Sequence, residues 1–260
     1  MKKQRKIIFH SIALVLLIVA SVVIIRQNSA MPYQVNQGMV FGTFYKITYQ
    51  HDKNLQKEIE AQLKSVNDAL SMFDKKSIIT AVNNNEPVKL NDMFVNVFKL
   101  AQSISEDTDG AFDITVAPLV NAWGFGYKSG ALPSQQDIDS IRAFVGYQKV
   151  KLSGMRIQKE DARLTLDCSA IAKGYGTDVV ARYFLREGIK NFMVEIGGEI
   201  VTHGVNPKRQ QWSIGIEKPV EDSLAMKSEL QTVLKVDDIA MATSGNYRNF
   251  YYKDGKKYAH

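Results

Sequence analysis

The residues that could do chemistry are concentrated between Leu164 and Asp178, a stretch that reads LTLDCSAIAKGYGTD. It begins like a short strand and then carries the carboxylate of Asp167 and the ammonium of Lys173 among small residues. A strand that leads through small residues into a helix start lets backbone N–H groups approach an anionic ligand closely. Asp167 can accept a hydrogen bond from a ribose or a ring, and Lys173 can meet a phosphate charge. The stretch is a candidate nucleotide site, although a plain strand–turn–helix connection has the same pattern.

Two further stretches have the composition of ligand-binding loops. Residues 108–126 read TDGAFDITVAPLVNAWGFG and contain Asp113 and several glycines, but no Lys, Arg or Glu. Binding loops and buried crossings both have this composition, and we favour a binding loop. Gly197 and Gly198 follow an apolar strand and precede Glu199. They predict either a backbone wall against a planar ligand or a tight turn.

Charge in this chain is unevenly distributed, which limits the classes of partner. The chain has 260 residues, 45% hydrophobic and 23% charged, with a net charge of +6. Five positive charges and no acidic residue precede residue 31, at Lys2, Lys3, Arg5, Lys6 and Arg26. The rest of the chain is therefore nearly neutral, which argues against nucleic acid as a partner.

The N-terminal segment has the pattern of a membrane anchor. After the basic MKKQRK, residues 7–25 are apolar apart from His10, Ser11 and Ser21. This run is longer than a usual signal-peptide core and close to the roughly 20 residues that span a bilayer. We predict an uncleaved single-pass anchor over residues 1–26, with a cleaved signal peptide as the alternative. The positive flank predicts an inner or plasma membrane location, with the body on the extracytoplasmic, periplasmic side.

A linker is predicted over residues 27–38, followed by a single catalytic body over residues 39–260. We expect an α+β fold with mixed sheets and helices packed on them. Apolar periodicity and capping residues predict helices over 55–70, from Asn91 through Ile104 and over 173–187, and strands over 39–50, 163–166 and 191–196. Asp254 and Gly255 predict a hairpin turn near the end of the chain.

Cys168 is the only cysteine of the chain, so no internal disulfide can form. The thiol could act as a nucleophile. Its apolar, small-residue neighbourhood favours a buried structural role instead.

Seven sequence segments, in order along residues 39–260, resemble the ApbE family of FAD:protein FMN transferases, also called flavin transferases. They are GTFYKI, SMFDKKSIITAVN, GAFDITVAPLVNAWGFG, LDCSAIAKGYGTDVVARYFLREGI, VEIGGEI, WSIGIEKP and ATSGNYRNFY. The chain departs from the family where Phe41 replaces a usual Met. It also stops at His260, so we expect a fragment, with a later segment that would carry a magnesium-binding Asp and Thr. The resemblance implies a T-fold-related body of two joined lobes.

The resemblance also implies a reaction and its partners. FAD is split at its pyrophosphate, FMN is joined through a phosphoester bond to a Thr or Ser of an acceptor protein, and AMP leaves. The implied acceptors are flavoprotein subunits of membrane redox complexes, and Mg²⁺ is the implied metal. Two alternatives stay open, a flavin-binding protein without transfer activity and an enzyme that only hydrolyses FAD to FMN and AMP.

Site roles follow from the same resemblance. His260 matches the family's proposed base, which would take the proton of the acceptor hydroxyl. The backbone oxygen of Ala170 matches a metal ligand, and the ring of Phe73 stands where an aromatic residue packs the adenine or the flavin. The implied flavin-nucleotide contacts are Ala111, Phe112, Asp113, Asp167 and Lys173.

Overall fold

The structure is a computed structural model that describes residues 10, 12, 14–21, 31–126, 132–219, 229–245 and 250–259. Residues 14–21 are helical and exposed. Within these described ranges, no helix combines the length and the apolar character needed to cross a membrane. Most of the predicted anchor over residues 1–26 falls outside the described residues, so the anchor stays a prediction.

Strands and helices occur in separate runs along the chain, as in an α+β fold, which confirms the predicted class. The strands are β1 (Tyr33–Val40), β2 (Thr43–Gln50), β3 (Val150–Ser153), β4 (Arg156–Lys159), β5 (Phe192–Ile196), β6 (Glu199–His203), β7 (Trp212–Glu217), β8 (Leu230–Val236), β9 (Ala240–Met241), β10 (Phe250–Lys253) and β11 (Lys256–Ala259). The helices are α1 (Gln56–Leu70), α2 (Ile78–Asn83), α3 (Asp92–Asp107), α4 (Ala117–Ala122), α5 (Gln135–Arg142) and α6 (Ser169–Arg186), with a short 3₁₀ helix at Tyr147–Lys149.

The central sheet has the strand order β1-β2-β5-β6-β9 and is antiparallel throughout. The pairs β3–β4, β7–β8 and β10–β11 form separate antiparallel hairpins. The expectation of mixed sheets is therefore wrong for the described strands. The pairs β1–β2, β3–β4, β5–β6 and β10–β11 are each joined by two residues, and strands joined by so short a turn are necessarily antiparallel.

Helices α1 and α6 pack against each other, and α6 covers β5 and β6. The core beneath them is fully apolar around Ile47, Phe184 and Phe192, each with 0% exposure. Tyr49 is equally buried, but its hydroxyl donates to Asn36 Oδ1 at 2.7 Å and accepts the backbone N–H of Leu55 at 2.6 Å. These two hydrogen bonds satisfy the Tyr49 hydroxyl, which would otherwise be a buried polar group without a partner.

A second core lies between α1, α2 and α3 and the segment that precedes α6. Its central side chains include Val66, Ile79, Phe94 and Leu166, all at most 1% exposed. The two cores share α1 and α6. In α1, Leu63 belongs to the first core and Val66 to the second, and in α6, Val180 belongs to the first and Val179 to the second. The two cores are therefore joined through these two helices, and the body of two lobes stays a prediction.

The first hairpin corrects two predicted boundaries. Residues 33–38 belong to β1 rather than to a linker, and residues 39–50 form parts of two strands rather than one. The chain turns at Phe41 and Gly42, whose φ angles are 52° and 73°. Two consecutive positive φ values match the right-handed twist of a hairpin. Gly42 thus serves the turn, and a Cβ atom built there meets nothing within 4 Å.

The segment that precedes α6 is held by a side chain, and the strand predicted over 163–166 does not form. Asn83 Nδ2 donates to the carbonyl of Leu166 at 2.9 Å, and Leu166 N donates to Asn83 Oδ1 at 2.7 Å. The next residue, Asp167, donates its N–H to the carbonyl of Ile114 at 2.7 Å. The amide side chain of Asn83 thus pairs the backbone groups of Leu166 as a neighbouring strand would, and it fixes the segment that leads into α6.

Candidate flavin site

A cavity of about 950 Å³ lies where the β1–β2 turn, the C-terminal end of α1 and the start of α6 meet. Its volume falls in the range typical of small-molecule sites. Its walls combine aromatic rings with charged groups of both signs. The lining residues include Phe41, Gly42, Leu70, Met72, Phe73, Asp74, Lys75, Lys76, Phe125, Ser169, Ala172 and Lys173.

The start of α6 forms one wall of this cavity through Ser169, Ala172 and Lys173. The helix begins at Ser169, four residues before its predicted start, and Asp167 Oδ1 accepts the N–H of Ser169 at 2.7 Å. Ala170 is exposed in the first turn. Three of the first four N–H groups of α6 already have acceptors, because Ser169 N donates to Asp167 and the N–H groups of Ile171 and Ala172 donate to the carbonyl of Cys168. The helix dipole still favours anionic groups at this end.

Lys173 lies one turn further along α6 and is paired with a buried carboxylate. Its Nζ lies 3.1 Å from Glu199 Oε1 and donates a long 3.5 Å bond to the carbonyl of Gly197. Glu199 is 8% exposed, and its Oε2 accepts the N–H of Thr243 at 3.1 Å. Gly197 and Gly198 form the tight turn between β5 and β6, with φ values of 56° and 91°. Sequence reasoning singled out Glu199 beside this turn but did not pair it with Lys173.

Aromatic side chains form the other wall. Phe73 is 75% exposed at the cavity, as a ring that stacks on a flat ligand would need to be. Phe41 lies against α6, because a Cβ atom at Gly176 would come within 2.7 Å of its ring. Sequence reasoning noted Phe41 only as a departure from the family. Its position in a two-residue turn was the missed signal, since a large ring there must pack against another element.

The loop with Ala111, Phe112 and Asp113 lies beside Asp167, through the bond from Asp167 N to the carbonyl of Ile114. Asp113 Oδ1 accepts the N–H and the hydroxyl of Thr115, both at 2.7 Å, and its Oδ2 accepts Tyr147 N at 2.9 Å. The carboxylate of Asp113 therefore ties its own loop to the chain beyond α5. Among the described residues that line the 950 Å³ cavity, none comes from this loop or is Asp167.

Cys168 is buried and its thiol is unreactive, which confirms the structural role favoured from the sequence. It is 2% exposed, immediately before α6. Burial, together with the charge of Asp167, raises the pKa of the thiol to about 12. At neutral pH the group is a thiol rather than the thiolate needed for nucleophilic attack.

The C-terminal hairpin packs against the α4 end of the site. The Tyr251 hydroxyl donates to the carbonyl of Trp123 at 2.9 Å, and the Phe125 and Tyr251 ring centroids are 5.2 Å apart. Phe125 borders both the large cavity and a cleft of about 460 Å³ that Ala259 also lines. The predicted base, His260, lies outside the described residues.

The described residues do not fit a magnesium site on their own. They contain no group of three or more His, Cys, Asp or Glu side chains that could hold a metal ion. The implied ligand Ala170 supplies one backbone oxygen, and the nearby carboxylates of Asp167 and Glu199 already accept internal bonds. Mg²⁺ requires near-octahedral oxygen coordination, which one carbonyl does not supply.

A family model, described as the ApbE family, matches residues 41–260. The chain belongs to the ApbE family. This confirms the resemblance seen in the sequence segments. The match extends over both hydrophobic cores and includes the cavity, α6 and the C-terminal hairpin.

Individual relatives agree with the family assignment. An FAD:protein FMN transferase of Vibrio cholerae is 39% identical over 234 residues, which are 86% of this chain and 69% of that protein. The proteins of that name from Haemophilus influenzae and Escherichia coli K12 are 35% and 32% identical and cover 86% and 90% of this chain, with 68% and 70% of their own lengths covered.

Solved structures match the fold as well as the sequence. The flavin transferase ApbE from Vibrio cholerae superposes with a TM-score of 0.75 at 36% identity, over 85% of this chain and 74% of that one. The apo form of Pseudomonas stutzeri flavinyl transferase ApbE gives a TM-score of 0.74 at 31% identity, over 86% and 74%.

Proposed function

We propose that this chain is an FAD:protein FMN transferase, an enzyme that moves the FMN portion of FAD onto an acceptor protein. The observation that carries the proposal is the ApbE family match over residues 41–260, among relatives that bear this name. The cavity adds chemical support, since exposed Phe73 suits a flat ring system and Lys173 suits a phosphate.

The transfer step exchanges a phosphoanhydride bond of FAD for a phosphoester bond to the acceptor. The hydroxyl oxygen of an acceptor Thr or Ser bonds to the FMN phosphorus, and the P–O bond that joins FMN to AMP in the pyrophosphate breaks. AMP leaves with that bridging oxygen, and the proton of the hydroxyl passes to a base, for which we propose His260.

Residues of the chain position this exchange and offset its charge. The ring of Phe73 holds one of the two ring systems of FAD. Asp167 lies outside the cavity lining and would accept a hydrogen bond from a ribose or ring donor only where FAD extends past the start of α6. Lys173 and the N-terminal end of α6 face the phosphates. Phosphoryl transfer depends on such positioning and charge neutralisation more than on covalent chemistry by the protein.

Dependence on Mg²⁺ is part of the proposal but rests on the family resemblance alone. When bound, the ion would neutralise charge on the phosphates. Among the described residues, the backbone oxygen of Ala170 is the one ligand that the family resemblance assigns to this ion. Activity measured after EDTA treatment and again after stepwise addition of Mg²⁺ tests this dependence, and full activity in EDTA would contradict it.

The central experiment is incubation of the chain with FAD and a flavoprotein acceptor subunit, followed by in-gel flavin fluorescence of the acceptor. FAD labelled at either phosphate identifies the transferred group, because only the phosphate on the FMN side should become protein-bound. FMN and riboflavin in place of FAD are controls without a pyrophosphate. Formation of FMN and AMP with an unlabelled acceptor would support FAD hydrolysis, and binding without turnover would support a flavin-binding protein.

A variant assigns the base. His260→Ala should keep FAD binding and lose acceptor labelling, because it removes the group that takes the hydroxyl proton. Undiminished labelling by this variant would transfer that role to another group. His51→Ala is a matched control, since this histidine is near β2 and outside the cavity lining.

We also propose that residues 1–26 anchor the body outside the cytoplasm, where it meets flavoprotein subunits of membrane redox complexes. The support is the basic flank followed by the apolar run of residues 7–25. A periplasmic reporter enzyme fused after residue 38 should be active, and the same fusion without residues 2–26 should not. A cytoplasmic reporter active in the full fusion would reverse the topology.

A further inference from the structure

We infer that Glu199 is a built-in counter-ion that limits how tightly the flavin site holds phosphate. The inference rests on the proposed function and adds a role for a residue that touches the site only through Lys173. It concerns the phosphate-bearing substrate FAD and the phosphate-bearing product AMP.

The first observation is that the charge of Lys173 is already offset before any ligand arrives. Its Nζ lies 3.1 Å from Glu199 Oε1, a distance at which the two charges attract strongly. The Glu199 side chain is 10% exposed and that of Lys173 is 31% exposed. The carboxylate is therefore the less solvated member, and its field at the neighbouring cavity is weakly screened.

The second observation is that Glu199 cannot readily turn away. Its Oε2 accepts the N–H of Thr243 at 3.1 Å, so both of its oxygens are engaged. Its backbone is fixed by pairing with Ile196 across the two-glycine turn. A Cβ atom at Gly197 would lie 3.2 Å from the Lys173 stem and 2.7 Å from Thr43, so the stem is confined as well. The pair is therefore fixed, with Lys173 in the cavity wall and Glu199 in contact with it.

A fixed negative charge beside the cationic group of an anion site lowers affinity for the anion. A phosphate that approaches Lys173 must share the ammonium with Glu199 and is repelled by its carboxylate. For a binding protein this would be a defect. For an enzyme that must release AMP after each transfer, weaker binding of phosphate speeds product release, and binding energy shared equally by substrate and product does not raise turnover.

Two variants separate charge from structure. Glu199→Gln removes the negative charge and keeps an oxygen for Thr243 N, whereas Glu199→Asp keeps the charge on a shorter stem. Affinities for AMP, FAD and riboflavin are measured by calorimetric titration of the full chain. Riboflavin lacks phosphate and reports on the ring-binding part of the site.

We expect Glu199→Gln to bind AMP and FAD about tenfold more tightly than the wild type, and to bind riboflavin equally well. Glu199→Asp should stay close to the wild type for all three ligands. With the acceptor present, Glu199→Gln should show stronger inhibition by added AMP. A structural role alone would weaken all three ligands together.

Unchanged or weaker AMP and FAD binding by Glu199→Gln would overturn the inference, as would an equal change for riboflavin. If Glu199→Gln fails to fold, the deciding measurement is the AMP affinity of the wild type and of Glu199→Asp, each at low and at high salt. Equal affinities of the two proteins are expected at each salt concentration. A large loss of AMP affinity in Glu199→Asp contradicts a charge effect. Failure of the proposed function has a different signature, since an acceptor left unlabelled by the wild type would not alter the AMP titrations.

Discussion

Two lysines border cavities of similar size, about 910 Å³ and 950 Å³, and their ammonium groups have different kinds of partner. In the smaller cavity, Lys159 Nζ donates to the carbonyls of Val82 at 3.0 Å, Asn83 at 3.3 Å and Leu164 at 2.9 Å. In the larger cavity, Lys173 faces the carboxylate of Glu199.

The contrast shows that a perturbed pKa does not by itself mark the functional lysine. Burial lowers the pKa of Lys159, and perturbed groups often cluster at functional sites. However, an ammonium has three donors, and three backbone carbonyls engage those of Lys159. It is a structural tie between α2 and the segment that leads to α6. Lys173 lines the same cavity as the exposed ring of Phe73 and lies in the first turns of α6, where a phosphate can compete for it.

The largest effect that tests this contrast is expected from Lys159→Met. The variant leaves three carbonyls without their charged donor and should lower the free energy of unfolding by about 3 kcal/mol. Urea denaturation monitored by circular dichroism measures the loss. Lys151→Met, at an exposed position of β3, is the matched control and should stay within about 0.5 kcal/mol of the wild type. A similar result for the two variants would remove Lys159 from its structural role.

The next effect is expected from Lys173→Gln, which keeps a partner for Glu199 and removes the positive charge. Loss of a charge-assisted contact should weaken FAD binding by about 2 kcal/mol, roughly 30-fold. Riboflavin binding should not change, because riboflavin carries no phosphate. Fluorescence titration of both ligands measures the difference, and unchanged FAD affinity would exclude Lys173 from the site.

A smaller effect is expected from Asn83→Ala, which loosens the segment between the two lysines. The variant removes both side-chain bonds to Leu166 and should lower the free energy of unfolding by about 1–2 kcal/mol. Because Cys168 ends this segment, its reaction with a thiol reagent at pH 8 should accelerate in the variant. Asn84→Ala, on an exposed neighbour, should react at the wild-type rate. Equal rates in all three proteins would mean that Asn83 does not hold the segment.

The smallest effect is the pH dependence that Lys159 contributes. Its folded pKa lies below its ordinary value of 10.5, so between the two values the unfolded chain binds more protons. Stability therefore rises with pH in this interval and levels off above 10.5. The wild type should gain stability relative to Lys159→Met as the pH rises from 8 to 10. A relative loss over that range would contradict the burial of this ammonium.

The sequence predicted elements whose determinants are local. Apolar periodicity gave α1 at Gln56–Leu70, close to the predicted 55–70, and the N-cap of α3 at Asn91, whose side chain accepts Phe94 N at 2.9 Å. The hairpin turn at Asp254 and Gly255 is also present. Each of these depends on residues within a few positions of one another, so the pattern contains the information.

Features that depend on distant partners were missed. β1 was read as a linker, because its one buried side chain is the polar Asn36, which is satisfied by Tyr49 and Asn54. The segment before α6 looked like a strand but is bonded by the side chain of Asn83, 83 residues away. For the site, Phe73 and Lys173 could be singled out from the sequence and both line the cavity, whereas Asp167 was also singled out but falls outside the lining. The Lys173–Glu199 pair required the three-dimensional arrangement.

The order of strands in the central sheet has a consequence for synthesis in the cell. β2 pairs on one side with β1, its immediate neighbour in the chain, and on the other with β5, whose residue Phe192 pairs with Tyr49. At about 5–20 residues per second, β2 waits roughly 7–30 seconds at the ribosome before its second partner has been made. During that time one edge of an apolar strand stays open to other chains. The nascent protein therefore needs protection longest in its first hairpin, the part that later forms the wall of the flavin cavity.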